Sequence, residues 1–178
     1  NNGTLTFTGT GDVRSTSPST NAYTGASGAG NVFLTTNAAS KTLIISNINT
    51  IGYTALNLAF GLMKNTTASN GSELSVEVST DGVVYTALTF PALPTGSGTA
   101  NWKWVKATGA IPATANLRVR FTNTATSGPQ FRLDDIKLTD GLAPDSITTT
   151  PTTYGAPFCA GTAIKVPFLI LGTFNSNN

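Results

Sequence analysis

The chain has 178 residues, a formal net charge of +2 and a charged fraction of only 10%. This weak positive charge, with no run of Lys or Arg, excludes the strongly basic surface that nucleic-acid binding requires. His is absent and there is one Cys, which removes His-assisted nucleophiles and ordinary zinc sites. No apolar run approaches the roughly 20 residues that cross a bilayer. The composition therefore predicts a protein that is not an enzyme, binds no nucleic acid and does not insert into a membrane.

Short alternating apolar segments, separated by Gly, Pro and Asn, predict an all-β chain. In chain order these segments are 5–7 with 13, 31–34, 42–45, 56–63, 74–78, 83–85, 102–105, 117–121 and 130–138. Asp81 and Gly82 predict a hairpin closed by a type I′ turn, because that turn needs positive φ at its central residues. Strands at roughly ten-residue spacing are typical of a two-sheet sandwich.

The amino-acid composition of the chain changes after residue 139. Residues 140–153 are rich in Gly, Pro, Thr and Ser, which predicts an exposed linker. Residues 164–170 then alternate apolar and other residues as a strand does. Because a domain below about 40 residues usually needs disulfides or metal, this end is predicted to be a partial second β-domain, or extended strands that pair with another surface.

Five stretches of the first 139 residues are specific in sequence: TGTGDVR (8–14), GASGAGNVFL (25–34), SNGSEL (69–74), VEVSTDG (76–82) and FRLDDIKL (131–138). Together they resemble a jelly-roll module of secreted proteins of Bacteroidota. The module is similar to carbohydrate-binding modules and MAM-like sandwiches. The resemblance implies that residues 1–139 form an antiparallel two-sheet jelly-roll β-sandwich.

The C-terminal residues have a resemblance of their own. APFCAG (156–161), VPF (166–168) and GTF (172–174) look like the opening of an immunoglobulin-like repeat in long surface proteins of the same bacteria. The expected division is a jelly roll at 1–139, a linker at 140–153 and an incomplete immunoglobulin-like domain at 154–178. The resemblance also implies a large parent protein, exported by a type 9 secretion route and located outside the cell or on its outer surface.

Asp134 and Asp135 are adjacent carboxylates in a predicted strand, where unpaired charge is costly. The apolar residues before and after the pair follow opposite phases of the strand, which predicts a β-bulge at the pair. The resemblance implies that this acidic position helps to bind a structural calcium ion between the first and last strands. The candidate metal ligands are Asp135, Asp134, Asp12 and Asn31. An equally weighted alternative is that Asp135 caps backbone N–H groups or pairs with an arginine, Arg132 or Arg14.

Trp102 and Trp104 are two residues apart and so project from one face of a strand, with Lys103 on the other face. If that face is exposed, the two rings form a platform on which sugars stack. If it is internal, both rings belong to the core, which is the more frequent arrangement in sandwiches. Tyr85 and Tyr23 are further candidate ligand-binding residues.

These features favour a non-catalytic adhesion or carbohydrate-binding module of a secreted or cell-surface multidomain protein. Its partners would be a polysaccharide or cell-surface glycan and neighbouring domains of the same or an identical chain. One alternative is a structural spacer of a long adhesin or filament, whose C-terminal strands pair with a neighbour. Another is an accessory domain of a secreted nuclease or hydrolase, whose catalytic residues would lie outside this chain.

Overall fold

A computed structural model describes residues 4–37 and 41–141, together with the backbone of two further strands, 146–149 and 168–171. The described residues form twelve strands and contain no helix long and apolar enough to cross a membrane. The strands are β1 (Thr6–Gly9), β2 (Asp12–Arg14), β3 (Asn31–Leu34), β4 (Thr42–Ile48), β5 (Leu56–Lys64), β6 (Leu74–Ser79), β7 (Thr86–Leu88), β8 (Lys103–Lys106), β9 (Leu117–Asn123), β10 (Phe131–Asp140), β11 (Ser146–Thr149) and β12 (Phe168–Leu171).

The first ten strands form two five-stranded sheets. Sheet A has the order β1-β4-β9-β6-β7, and sheet B has the order β2-β3-β10-β5-β8. All neighbouring strands in the two sheets are antiparallel. The eight strands β3 to β10 are arranged as β3-β10-β5-β8 opposite β4-β9-β6-β7, which is the order of a jelly roll. The predicted all-β, antiparallel jelly-roll sandwich is confirmed.

The core lies between the sheets and follows from the alternation of apolar and polar residues along each strand. In β6, Leu74, Val76 and Val78 are buried, whereas the residues between the three are half-buried. Phe60 and Phe121, both fully buried, pack edge to face with ring centres 5.1 Å apart. This T-shaped pair belongs to the apolar cluster that joins the two sheets.

The hairpin at Asp81 and Gly82 is present, but its turn differs from the predicted one. Gly82 has a φ of 79°, whereas Asp81 is not in the positive region, so the turn is not type I′. The Asp81 carboxylate accepts hydrogen bonds from the backbone N–H groups of Val83 and Val84 at 2.8 and 2.9 Å, which lower the pKa of Asp81. This local side-chain bonding competes with the strand ladder, so the loop extends to residue 85 and the strand predicted at 83–85 begins at Thr86 instead.

Strand β10 contains the bulge that the change of phase predicts. Asp134 pairs with Gly61 and Lys137 pairs with Ala59, so two residues of β10 stand opposite one residue of β5. Asp135 has a φ of 47°, a conformation that bulges accommodate. The apolar residues after the bulge pack against the core as those before it do, which confirms the prediction.

The chain divides into two compact units, Asn1–Asp140 and Gly141–Asn178. In the second unit, β11 and β12 pair antiparallel, with Ser146 opposite Leu171. Strand β11 lies inside the segment 140–153, so this part of the predicted linker is a strand instead; its β-branched Ile and Thr residues favour extended structure. Apart from β12, the predicted immunoglobulin-like segment 154–178 lies outside the described residues.

Candidate functional site

The β2–β3 loop, residues 15–30, lies across the outer face of sheet B. Tyr23 of this loop covers Gly61 of β5, where a Cβ atom would overlap the Tyr23 hydroxyl group. Beside β8, the indole Nε1 of Trp102 donates a hydrogen bond to the carbonyl oxygen of Ser17 at 3.1 Å. A glycine in the middle of the sheet therefore provides the space in which the loop docks.

The two adjacent carboxylates of β10 hold this loop in place. Asp134 accepts hydrogen bonds from the hydroxyl groups of Ser19 and Ser27 at 2.7 and 3.3 Å. Asp135 accepts one from the Tyr23 hydroxyl group at 2.7 Å and one from the backbone N–H of Ser27 at 3.0 Å. Of the interpretations open at the sequence level, the capping of a backbone N–H by Asp135 is observed. Both carboxylates anchor the loop.

The hydrogen bonds around Asp135 shift the pKa values of both partners. Partial burial alone would raise the pKa of Asp135, but the hydrogen bonds from Ser27 and Tyr23 outweigh it and lower that pKa. Burial and the hydrogen bond to Asp135 raise the pKa of Tyr23. Tyr23 therefore stays a neutral hydrogen-bond donor, and Asp135 stays an ionised acceptor, throughout the neutral range.

The predicted calcium ligands are engaged with protein donors. Asp12 forms a salt bridge with Arg14 at 2.9 Å, and the amide oxygen of Asn31 accepts a hydrogen bond from Arg132 at 2.9 Å. Within the described ranges there is no group of three or more His, Cys, Asp or Glu residues that could hold a metal ion. Calcium binding stays a prediction from the resemblance.

Three aromatic residues form a cluster at the edge of sheet B. The ring of Tyr23 lies 5.3 Å from that of Trp104, at an angle of 36°, and 6.5 Å from that of Trp102. The two indoles thus lie on the same face, but they differ in exposure: Trp102 is 7% exposed and Trp104 is 41% exposed. Trp102 packs under the loop, and Trp104 presents its ring to solvent.

Lys137 completes this cluster, and the sequence analysis did not single it out. Its ammonium nitrogen lies 5.4 Å from the centre of the Trp104 ring, within the range of a cation–π contact. Gly61 was also missed. Both roles depend on which strands are neighbours, and the pairing of β10, β5 and β8 is the signal that would have revealed them.

Tyr85 lies apart from these residues, in the loop between β6 and β7 of sheet A. The guanidinium group of Arg120 covers its ring at 3.5 Å and bonds Glu77 at 2.8 Å. The structure therefore brings together three of the four predicted ligand-binding residues and places the fourth against the other sheet.

A cleft of about 660 Å³ opens between the two sheets of the first unit. Its walls are mostly aliphatic, and its lining includes Phe7, Tyr53, Ile136 and Leu138. Phe7 is 64% exposed and Tyr53 is 46% exposed. The cleft is thus a second surface with exposed aromatic rings, and its lining also includes polar residues: Asn31, Asn49, Thr50, Asp134, Asp135 and Asp140.

No protein-family model matches the chain, and no curated protein matches it. Among solved structures, the chain is similar to TmCBM61 in complex with β-1,4-galactotriose, with 16% identity and a TM-score of 0.47 over 76% of this chain and 88% of that one. It is also similar to a glycoside hydrolase family 43 arabinoxylan arabinofuranohydrolase from Bacillus subtilis in complex with cellotetraose, with 18% identity and a TM-score of 0.49 over 73% of this chain but only 24% of the hydrolase. A third likeness is to a CBM4 structure, with 18% identity and a TM-score of 0.40 over 64% of this chain and 84% of that one. Such distant likenesses do not identify what this chain binds.

Proposed function

We propose that the chain is a non-catalytic carbohydrate-binding module of a secreted or cell-surface protein, and that it binds sugar at Trp104. The observation that carries this proposal is the 41% exposure of the Trp104 side chain beside a tyrosine that packs against it. Sugar rings have apolar C–H faces, and aromatic rings that are exposed on one side are suited to stack against them.

The surroundings of Trp104 keep its ring in a defined position. Trp104 is part of β8, where it pairs with Gly61 of β5. Tyr23 packs against the indole and is itself held by its hydrogen bond to Asp135. Because the side chain is ordered before a ligand arrives, binding costs little conformational entropy.

The polar groups near Trp104 support binding rather than catalysis. Lys137 offers an ammonium donor above the ring. The adjacent carboxylates, Asp134 and Asp135, already accept hydrogen bonds from the loop, so they serve to position Tyr23. The extracellular location and the multidomain parent rest on the resemblance of residues 1–139 and 154–178 to secreted surface proteins.

A glycan array followed by affinity electrophoresis tests the proposal. Trp104→Ala is expected to abolish binding, and Tyr53→Ala is the matched control because Tyr53 is an exposed aromatic residue of the cleft. Thermal unfolding of both variants checks that the sandwich is intact. Retained binding in Trp104→Ala with loss in Tyr53→Ala would move the site to the cleft and overturn the proposal, as would the absence of binding to any glycan.

A structural spacer is the second candidate, and the second unit favours it. The described part of that unit is a two-stranded sheet, β11 with β12, and a sheet of this size is at best marginally stable by itself. Sedimentation of the full chain and of a chain ending at Asp140 tests this candidate. Self-association that is lost on truncation supports a spacer, and identical monomeric behaviour of the two chains contradicts it.

A further inference from the structure

Two lysines flank Trp104 on the outer face of sheet B. Ala59 of β5 pairs with Lys137 of β10 on one side and with Lys106 of β8 on the other. Because neighbouring strands lie about 4.8 Å apart, the Cα atoms of the two lysines are roughly 10 Å apart. Trp104 and Lys106 are two residues apart in β8, so their side chains project from the same face. Because Ala59 lies between the two lysines and has a small side chain, it leaves space above the sheet between them.

Neither of these lysines forms a salt bridge among the described residues, although the charge of Lys137 helps to lower the pKa of the nearby Asp135. In the part of the chain that the structure describes, the ion pairs involve arginines and not Lys106 or Lys137. The carboxylates of Asp134 and Asp135 are half-buried and accept hydrogen bonds from the β2–β3 loop. Lys106 and Lys137 are exposed, so their ammonium groups are more accessible to solvent than the two carboxylates.

The β2–β3 loop approaches Lys137, and Lys137 stays exposed. Gly25 lies beside Lys137, and a Cβ atom on Gly25 would stand 3.7 Å from the ammonium nitrogen. Gly25 has a φ of 79°, a conformation that other residues rarely adopt. The positive φ is thus what favours glycine at this position, since a Cβ atom there would be at ordinary van der Waals distance from the ammonium nitrogen.

We propose that the Trp104 face selects saccharides that carry an anionic group, either a carboxylate or a sulfate. The indole stacks on the sugar ring, while Lys106 and Lys137 donate hydrogen bonds to the anion. Hydrogen bonds between charged groups are roughly twice as strong as those between neutral groups, so these contacts favour acidic over neutral chains. This inference rests on the proposed function and adds to it the charge of the ligand.

Affinity electrophoresis with three polysaccharides tests the inference: neutral β-1,4-galactan, polygalacturonate as the carboxylate and dextran sulfate as the sulfate. The variants are Lys106→Met and Lys137→Met. The matched control is Lys103→Met, which removes the same charge from the opposite face of β8. Each test variant is expected to weaken binding to the acidic polymers about three- to tenfold, whereas Lys103→Met leaves it unchanged. Binding to the acidic polymers is expected to weaken with added salt, because ions screen exposed charges.

The outcomes separate this inference from the proposed function. Equal binding of neutral and acidic polymers, lost in Trp104→Ala, overturns the acidic ligand and keeps the sugar site. An equal loss in Lys103→Met and the two test variants shows that only net charge matters, which also overturns the inference. No binding to galactan, to either acidic polymer or to any array glycan overturns the proposed function and the inference together. Among the acidic polymers, a preference for polygalacturonate assigns a carboxylate, and a preference for dextran sulfate assigns a sulfate.

Discussion

The outer faces of the two sheets use similar side chains in different ways. On sheet A, Arg120 pairs with Glu77 at 2.8 Å and lies 3.5 Å above the ring of Tyr85. The charge of Arg120 and the ring of Tyr85 are therefore both engaged within the fold. On sheet B, Lys106 and Lys137 form no salt bridge within the described residues, and the ring of Trp104 remains partly exposed. The comparison teaches that a cation beside an aromatic ring indicates a binding face where the cation forms no salt bridge and the ring stays exposed.

Lys64 is a further cation of the first unit, and it is more deeply buried than Arg120, Lys106 or Lys137. Its side chain is 1% exposed. Its ammonium group donates hydrogen bonds to the carbonyl oxygens of Ser69 and Pro94 at 2.5 and 2.6 Å and reaches the hydroxyl group of Thr99 at 3.4 Å. Lys64 thus ties together the loops that follow β5 and β7. The expected effects on stability fall from Lys64 through Arg120 to Lys106.

Lys64→Met is expected to have the largest effect on stability. The variant keeps the length of the side chain but leaves the carbonyl oxygens of Ser69, which is buried, and Pro94 without their charged donor. Each lost hydrogen bond of this kind costs about 1–3 kcal/mol, so the free energy of unfolding should fall by about 3 kcal/mol or more. Urea unfolding measures this change, with Lys103→Met as the exposed control. A loss no greater than that of the control would show that Lys64 does not hold the loops.

Arg120→Met is expected to have a smaller effect. The pair with Glu77 is partly exposed, and surface pairs and cation–π contacts each contribute about 0.5–1 kcal/mol. The free energy of unfolding should therefore fall by about 1 kcal/mol. A double-mutant cycle with Glu77→Gln isolates the ion pair. Any effect of Arg120→Met on glycan binding would contradict the assignment of this face to structure.

The loop anchor is expected to loosen in acid. The pKa of Asp135 is lowered from its usual value of 3.8 because hydrogen bonds outweigh the effect of burial. The stabilisation it provides is present above the unfolded pKa and is lost as the pH falls through the lowered pKa of the folded state. Below pH 3.8, the fluorescence of Trp102 and Trp104 should report loosening of the loop. Asp135→Asn should remove this transition, and an unchanged transition in that variant would contradict the role of Asp135.

Sequence alone predicted the sandwich because alternation is a local property of each strand. It also predicted the bulge, since the apolar residues on either side of Asp134 and Asp135 keep the core side only if one extra residue is inserted. The type of turn at Asp81 was wrong, because its carboxylate bonds the following backbone N–H groups. Such a contact depends on side-chain chemistry that the Asp-Gly signal does not contain.

The candidate site could be predicted only in part. Tyr23 and Asp135 are 112 residues apart in the chain, and alternation along a strand carries no information on contacts of that range. The sequence indicated that Trp102 and Trp104 share a face, but not which ring the β2–β3 loop would cover. That difference depends on Gly61, whose missing side chain decides where Tyr23 docks.

Lys106→Met is expected to have the smallest effect on stability, and it is the sharpest test of the comparison between the two faces. Lys106 is exposed and forms no salt bridge among the described residues, so its replacement should change the free energy of unfolding by less than about 0.5 kcal/mol. If Lys106 serves binding, the same variant should weaken binding to polygalacturonate or dextran sulfate. Arg120→Met should show the opposite pattern, with lower stability and unchanged binding, because Arg120 already interacts with Glu77 and Tyr85. Denaturation measures the stability of both variants, and affinity electrophoresis measures their binding. A stability loss in Lys106→Met as large as that in Arg120→Met would remove the distinction between the two faces.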